Sequence, residues 1–143
     1  MSRMACTTQR FEVQTRGDNH VVDLTPRVER AVREGPIRNG VATVFVVGST
    51  AGITTTEFEP GLANHDLGAF FEKIAPADGV YRHEETWHDD NGHAHVRASL
   101  LGPDLSVPLI DGRLALGQWQ QIVLIDFDTR PRRREIVVQV VGD

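Results

Sequence analysis

Cysteine is nearly missing from this chain. Its 143 residues hold one, Cys6, so no intramolecular disulfide can form and no thiolate-based zinc site can be built. Long apolar runs are missing too. No stretch approaches the roughly 18 apolar residues that a membrane-spanning helix needs, and the opening MSRMACTTQR has no apolar segment of the kind that leads a secreted chain. A basic surplus is also absent. Fifteen Lys and Arg against 20 Asp and Glu leave a formal charge of −5, which argues against a nucleic-acid partner, since that requires a basic footprint. The local run Arg130-Pro131-Arg132-Arg133-Arg134 reads as a solvated turn and strand start. With no repeat, low-complexity segment or linker, residues 1–143 are expected to form one domain in the reducing cytoplasm, with no membrane contact.

Strand patterns dominate what is there. Phe11 and Val13 alternate with polar residues, Gly17-Asp18-Asn19 supplies turn chemistry, and His20 to Leu24 can return as a second strand to make a hairpin. Thr25-Pro26 opens a helix carrying the stripe Val28, Ala31 and Val32, and Gly35-Pro36 ends it. Gly40 to Val47 is rich in β-branched residues and reads as a buried strand. The small residues Gly48 to Gly52 then separate it from a strand over residues 53–58. They form either a plain strand-linking loop or a place where a ligand approaches the backbone. Leu62, Leu67, Phe70, Phe71 and Ile74 suggest a second helix. Further strands fall at 105–110, 114–116, 121–127 and 135–141, with Asp111-Gly112 as a hairpin turn. The fold class is therefore α+β, a largely antiparallel, barrel-like sheet core with two or three short helices.

The chemistry concentrates between Tyr81 and Gly102. Four of the six histidines, His83, His88, His93 and His95, fall within thirteen residues, with Asp89, Asp90 and Asn91 among them. The alternation of Val96, Ala98 and Leu100 with His95, Arg97 and Ser99 predicts a strand from about His93. That strand would put His93, His95, Arg97 and Ser99 on one face, with the two imidazoles about 7 Å apart at their Cα atoms. Two such ligands with His83 or His88 from the preceding loop could hold a divalent ion. The same residues could equally form a polar surface loop around a hydrogen-bonded His95. His20 and His65 stand alone and read as structural, and Trp87 and Trp119 as packing anchors.

Tyr81-Arg82-His83, Asp89 to Pro103, Val107-Pro108 and Asp111 to Asp128 together resemble the YjbQ-like family, also called the secondary thiamine-phosphate synthase family. Gly48-Ser49-Thr50-Ala51-Gly52-Ile53-Thr54 is similar to that family's H-T-S-A-G-L-T segment, and Glu57 resembles the glutamate that closes it. The resemblance implies a homotrimeric α+β protein with active sites near subunit boundaries and metal-associated histidines. Its implied activity is a weak joining of hydroxymethylpyrimidine pyrophosphate to thiazole phosphate. On that basis His83, His93 and His95 are expected to hold a zinc or magnesium ion. Ser49, Thr50 and Asn91 would bind a small phosphorylated molecule, and Glu57, Asp90 and Arg97 would act on it or pair with its phosphate. The alternative is a non-catalytic trimer that binds a metal or ligand. Gly48 stands where the family commonly has histidine, and His93, then His88, is the expected substitute.

Overall fold

Alternation builds the larger of two sheets. In β3 (Gly40–Val47), Ala42, Val44 and Val46 are wholly buried, while Val41, Phe45 and Val47 are exposed. In β8 (Arg132–Gly142), Arg134, Ile136, Val138 and Val140 turn to the same inner side. The structure, a computed structural model, describes residues 3–143. With β1 (Ala5–Thr15), β5 (Asp104–Ile110) and β6 (Arg113–Leu114), these strands form a five-stranded sheet ordered β1-β8-β3-β5-β6. A second sheet joins β2 (His20–Asp23), β7 (Gln121–Asp126) and β4 (Ala51–Thr56) in the order β2-β7-β4. All strand pairings among the described residues are antiparallel.

The small sheet lies between two apolar layers. One of its faces, with Ile53, Ile122 and Leu124, packs against the inner face of the large sheet and against Val28, Ala31 and Val32 of α1 (Thr25–Glu34). Its other face, with Val21, Val123, Ile125 and Phe127, packs against Phe71 of α2 (Leu67–Ile74) and against Ala94 and Ala98 of α4 (Gly92–Leu101). A π-type turn, Leu62–Asp66, leads into α2, and the short α3 (His83–Trp87) precedes α4. Because β7 is buried on both faces, it reads as an almost unbroken apolar run. The α+β, antiparallel architecture expected from the sequence is present, and no helix of the described residues is long and apolar enough to cross a membrane.

Four expectations need correction. β1 and β2 do not form a hairpin: β1 pairs with β8, and β2 pairs with β7 in the other sheet. The turn residues are there, with Gly17, Asp18 and Asn19 all at positive φ, but they pass the chain between sheets rather than folding it back. Residues 93–101 are helix rather than strand. The real stripe is His93, Ala94, Arg97 and Ala98, all buried, whereas Val96 and Leu100, assigned to the core by alternation, are 48% and 65% exposed. The Arg130–Arg134 run is not uniformly solvated, because Arg134 is 7% exposed. Trp87 and Trp119 are not packing anchors within this chain; they are 68% and 66% exposed.

Candidate functional site

The loop between α2 and α4 is wound tightly by its own side chains. Tyr81 Oη donates to the carbonyl of Pro76 at 2.7 Å, and the Gly92 amide donates to Glu84 Oε1 at 2.8 Å, closing the start of α4 over α3. A Cβ at Gly92 would fall 2.5 Å from Tyr81 Cβ, so only glycine lets α4 begin this close. His88 and Asp90 hold left-handed backbone, with φ of 56° each, which folds the acidic segment back toward His83.

This winding brings His83 and His95 together, with ring centroids 4.5 Å apart. Nε2 of His83 lies 3.2 Å from Asp89 Oδ1. The amide nitrogen of Asn91 donates to Asp89 Oδ1 at 2.9 Å and to His83 Nε2 at 3.1 Å. Asn91 is itself buried, so it fixes both partners. A cavity of about 260 Å³ in the same loop is lined by Tyr81, Glu84 and Asp90, and neither histidine of the pair lines it. The arrangement presents one imidazole whose Nε2 accepts from a buried amide that Asp89 orients, with a second imidazole tilted against it at 53°, and so suits proton transfer.

His93 does not join them. Two residues on a helix are separated by about 200° around its axis, so His93 faces the core while His95 faces the loop. Its Nδ1 is the single buried side-chain polar atom without a partner among the described residues. Burial, then the neighbouring Arg97 cation, lowers its pKa below 6.5, against weaker opposing effects of Glu72, Glu84 and Asp90. Within the described residues no group of three or more His, Cys, Asp or Glu side chains is placed to hold a metal ion. The set His83, His93 and His95 therefore does not fit a metal within one chain.

The remaining expected site residues are distributed. Arg97 is 2% exposed and uses every guanidinium nitrogen within the chain: Nε on the Ala75 carbonyl at 2.9 Å, Nη1 on Asn19 at 2.8 Å and Nη2 on Glu72 at 2.7 Å. It ties α4 to α2 and to the β1–β2 turn. Both Asn19 and Glu72 line an open groove of about 750 Å³, which shares no lining residue with the His83–His95 pair. Glu57 lies just beyond β4, exposed, roughly 23 Å along the chain from Thr50 by the rise of a strand. His88 is exposed on the loop just after α3.

Asp90 and Thr50 share a second polar cluster with residues the sequence reading passed over. Thr129 Oγ1 lies 3.3 Å from Asp90 Oδ1, and Asp128 accepts from the Thr129 amide at 2.7 Å and from Thr50 Oγ1 at 2.9 Å. Thr50 Oγ1 in turn accepts from Arg134 Nη2 at 2.6 Å. Burial pushes the Asp128 pKa up, but the Thr129 amide, the Thr50 hydroxyl and Arg132 outweigh it, and the net shift is downward. Ser49, next to Thr50, is exposed. The signal that could have found Arg134, Asp126 and Asp128 is parity. Arg134 has the phase of Ile136 and Val138, and Asp126 and Asp128 have the phase of Ile122 and Leu124, so all three charges point into the core.

Two antiparallel sheets with short helices packed on them, and a histidine pair at the starts of two of those helices, define an α+β protein of recognisable type. The family model described as UPF0047 protein YjbQ-like matches residues 9–143, and the chain belongs to that family. A UPF0047 protein of Methanocaldococcus jannaschii is 34% identical over 134 residues, covering 94% of each chain. One from Archaeoglobus fulgidus is 37% identical over 121 residues, covering 85% of this chain and 90% of the other. Among solved structures, a YbjQ-like protein of unknown function from Sulfolobus solfataricus P2 superposes with a TM-score of 0.93 at 33% identity, covering 99% of this chain and 100% of that one. A hypothetical protein from Aeropyrum pernix K1 gives 0.88 at 31% identity, with 96% and 99% covered.

Proposed function

We propose that this chain is an enzyme acting on a small phosphorylated molecule, with His83 and His95 as its proton-transfer pair. The observation that carries the reading is the 4.5 Å approach of the two imidazoles, with Asp89 and Asn91 on His83 Nε2. The reaction proposed is a weak thiamine-phosphate synthase activity, in which the ring nitrogen of a thiazole phosphate bonds to the methylene carbon of hydroxymethylpyrimidine pyrophosphate as the carbon–oxygen bond to pyrophosphate breaks and pyrophosphate is released. Charge gathers on the departing oxygen, and a protonated imidazole beside it would stabilise that charge or supply a proton. Asn91, itself held by Asp89, holds the ring; Asp90 tethers the loop to the β7–β8 turn. The setting proposed is the cytoplasm, where the exposed Cys6 thiol stays reduced. The test is pyrophosphate release from the two substrates by wild type, His83→Asn and His95→Asn. The variants are expected to lose about 10²–10⁴ in kcat. Equal turnover in all three proteins would sink the reading.

A second reading, a non-catalytic trimer that binds a metal or ligand, is favoured by the outer face of the large sheet. Val41, Phe45, Val47 and Val141 are 45%, 40%, 48% and 43% exposed there. Cross-strand register places Val41 between Pro108 and Val141, and Phe45 beside Val137. Such a contiguous apolar face is what copies of one chain bury on assembly. A zinc or magnesium ion would then be held by His83 and His95, with a further donor from a neighbouring copy. Metal content of the assembled protein, with and without His95→Ala, separates the two readings when set beside turnover.

A further inference from the structure

We propose that the groove between the β1–β2 turn and α2 binds a small organic oxyanion, a carboxylate or a phosphate monoester, through Arg16, Asn19 and His20. The groove measures about 750 Å³, room for a ligand of metabolite size. It shares no lining residue with the His83–His95 pair, so the inference stands apart from the enzyme reading. Three successive left-handed residues set its head: Gly17, Asp18 and Asn19 have φ of 74°, 53° and 65°. A Cβ at Gly17 would fall 2.6 Å from the carbonyl oxygens of Asp128 and Arg130, and the Asp18 amide donates to the Asp128 carbonyl at 2.7 Å. The turn is thereby pinned to the β7–β8 loop.

The side chains it presents are fixed from behind. Arg97, 2% exposed, donates through Nη1 to Asn19 Oδ1 at 2.8 Å, which leaves Asn19 Nδ2 as a held donor. The Arg16 amide donates to His20 Nδ1 at 3.0 Å, so the neutral ring carries its one proton on Nε2. Burial, then the Arg16 cation, lowers the His20 pKa and keeps that ring neutral. Neither Asn19 Nδ2 nor His20 Nε2 has a partner among the described residues. Neither is sealed, because the one buried, partnerless side-chain atom there is Nδ1 of His93. Nδ2 stands beside Gly68, where a Cβ would come within 3.2 Å, and glycine leaves the donor uncovered. Two half-buried donors from adjacent residues, both braced and both unmet, call for an acceptor.

Charge selects which acceptor. Arg16, exposed on the same turn, makes no ion pair among the described residues. Two carboxylates also line the groove. Glu72 is already met by Arg97 Nη2 at 2.7 Å and by the Ala77 amide at 3.1 Å. Asp18 is exposed, and Arg16 offsets its charge. A guanidinium fork beside two fixed donors matches the several oxygens of a carboxylate or phosphate better than a single neutral acceptor. Past the donors the groove is walled by Val21, Ala63 and Ala69, small apolar side chains that suit an organic body rather than a bare ion.

The experiment is calorimetric titration of the full chain, wild type and Asn19→Asp, with phenyl phosphate, benzoate and phenol. Aspartate keeps an oxygen for Arg97 and tolerates left-handed backbone, but it replaces the free donor with a carboxylate oxygen. Melting without ligand checks that the variant is folded. Wild type is expected to bind phenyl phosphate or benzoate about tenfold or more tightly than phenol, and Asn19→Asp to lose about tenfold or more of that affinity. Binding of phenyl phosphate alone would assign the site to phosphate esters, and of benzoate alone to carboxylates; either outcome, or both, supports it. The side-chain ¹⁵N–¹H resonances of Asn19 in the unaltered protein must also shift as the bound anion is added. No anion bound by wild type, phenol bound as tightly, unmoved Asn19 resonances, or equal affinity in a folded Asn19→Asp overturns the proposal whatever the enzyme assay shows.

Discussion

Arg134 and Asp126 meet in a two-pronged ion pair that seals one end of the core, Nε on Oδ2 at 2.7 Å and Nη2 on Oδ1 at 2.8 Å. Asp126 is wholly buried. Replacing Arg134 by Met strands that carboxylate, and the expected cost is about 3–5 kcal/mol in urea unfolding. Adding Asp126→Asn to Arg134→Met removes the stranded charge, so the double variant should recover part of the loss. A double variant no more stable than Arg134→Met would show that the pair is not coupled in this way.

Arg97 gives a contrasting outcome. Its carboxylate partner, Glu72, is half exposed, so Arg97→Met leaves no buried charge. It does leave the Ala75 carbonyl and the Asn19 amide oxygen without their donor, together with a poorly filled space. A loss of about 2–4 kcal/mol is expected, with the m-value unchanged. Undiminished stability together with lost phosphate affinity would instead return Arg97 to the ligand-binding role assigned from sequence.

Mild acid should weaken the fold through His20. Burial, then the Arg16 cation, lowers its pKa from the ordinary 6.5, against a smaller opposing effect of Asp126. Its Nδ1 accepts the Arg16 amide at 3.0 Å. Between the lowered value and 6.5 the unfolded chain takes up a proton that the folded chain refuses, so stability falls as pH drops through that window. His20→Asn offers an amide oxygen near the Nδ1 position and cannot titrate, so its stability should decline less steeply below neutrality. Asp128, whose pKa is lowered on balance, adds a separate loss at more acidic pH, as its carboxylate takes up a proton. Parallel pH–stability curves for wild type and His20→Asn would refute the assignment.

Assembly is tested at Phe45, which lies between Val137 and Asp104 on the outer face of the large sheet. On the trimer reading, Phe45→Glu should leave the inner core untouched and shift the mass by light scattering from that of three chains to the 15.9 kDa of one. A variant that keeps the wild-type mass would place any interface elsewhere.

Several elements could be read straight from the residues. Gly40–Val47 forms the strand its β-branched content predicts, buried on one face rather than throughout, and Asp111-Gly112 turns β5 into β6. The histidine cluster did mark a loop that folds on itself. The segment from His93 to Leu101 was misread because a short sequence can satisfy two periods at once. Val96, Ala98 and Leu100 alternate, yet Ala94 and Ala98, like His93 and Arg97, are four apart, and packing on β7 chose the helix. Turn chemistry at Gly17–Asn19 could not tell which sheet the next strand would join. The approach of His83 to His95 depends on both the left-handed residues and the helix, so it was beyond reach until the helix was known.

The placement of β8 has a consequence for synthesis. It fills the slot between β1 and β3, and Arg10 of β1 meets Glu135 of β8 across 125 residues of chain. While a ribosome is still short of β8, β1 has no neighbour to pair with and β3 exposes an open edge. The charged plug is equally unfinished, because Arg134 is made after Asp126. A nascent chain therefore carries unsatisfied strand edges until β8 has emerged, and closing so distant a pairing is slow. Shielding of those edges during translation matters more for this topology than for one whose neighbours in the sheet are neighbours in the chain.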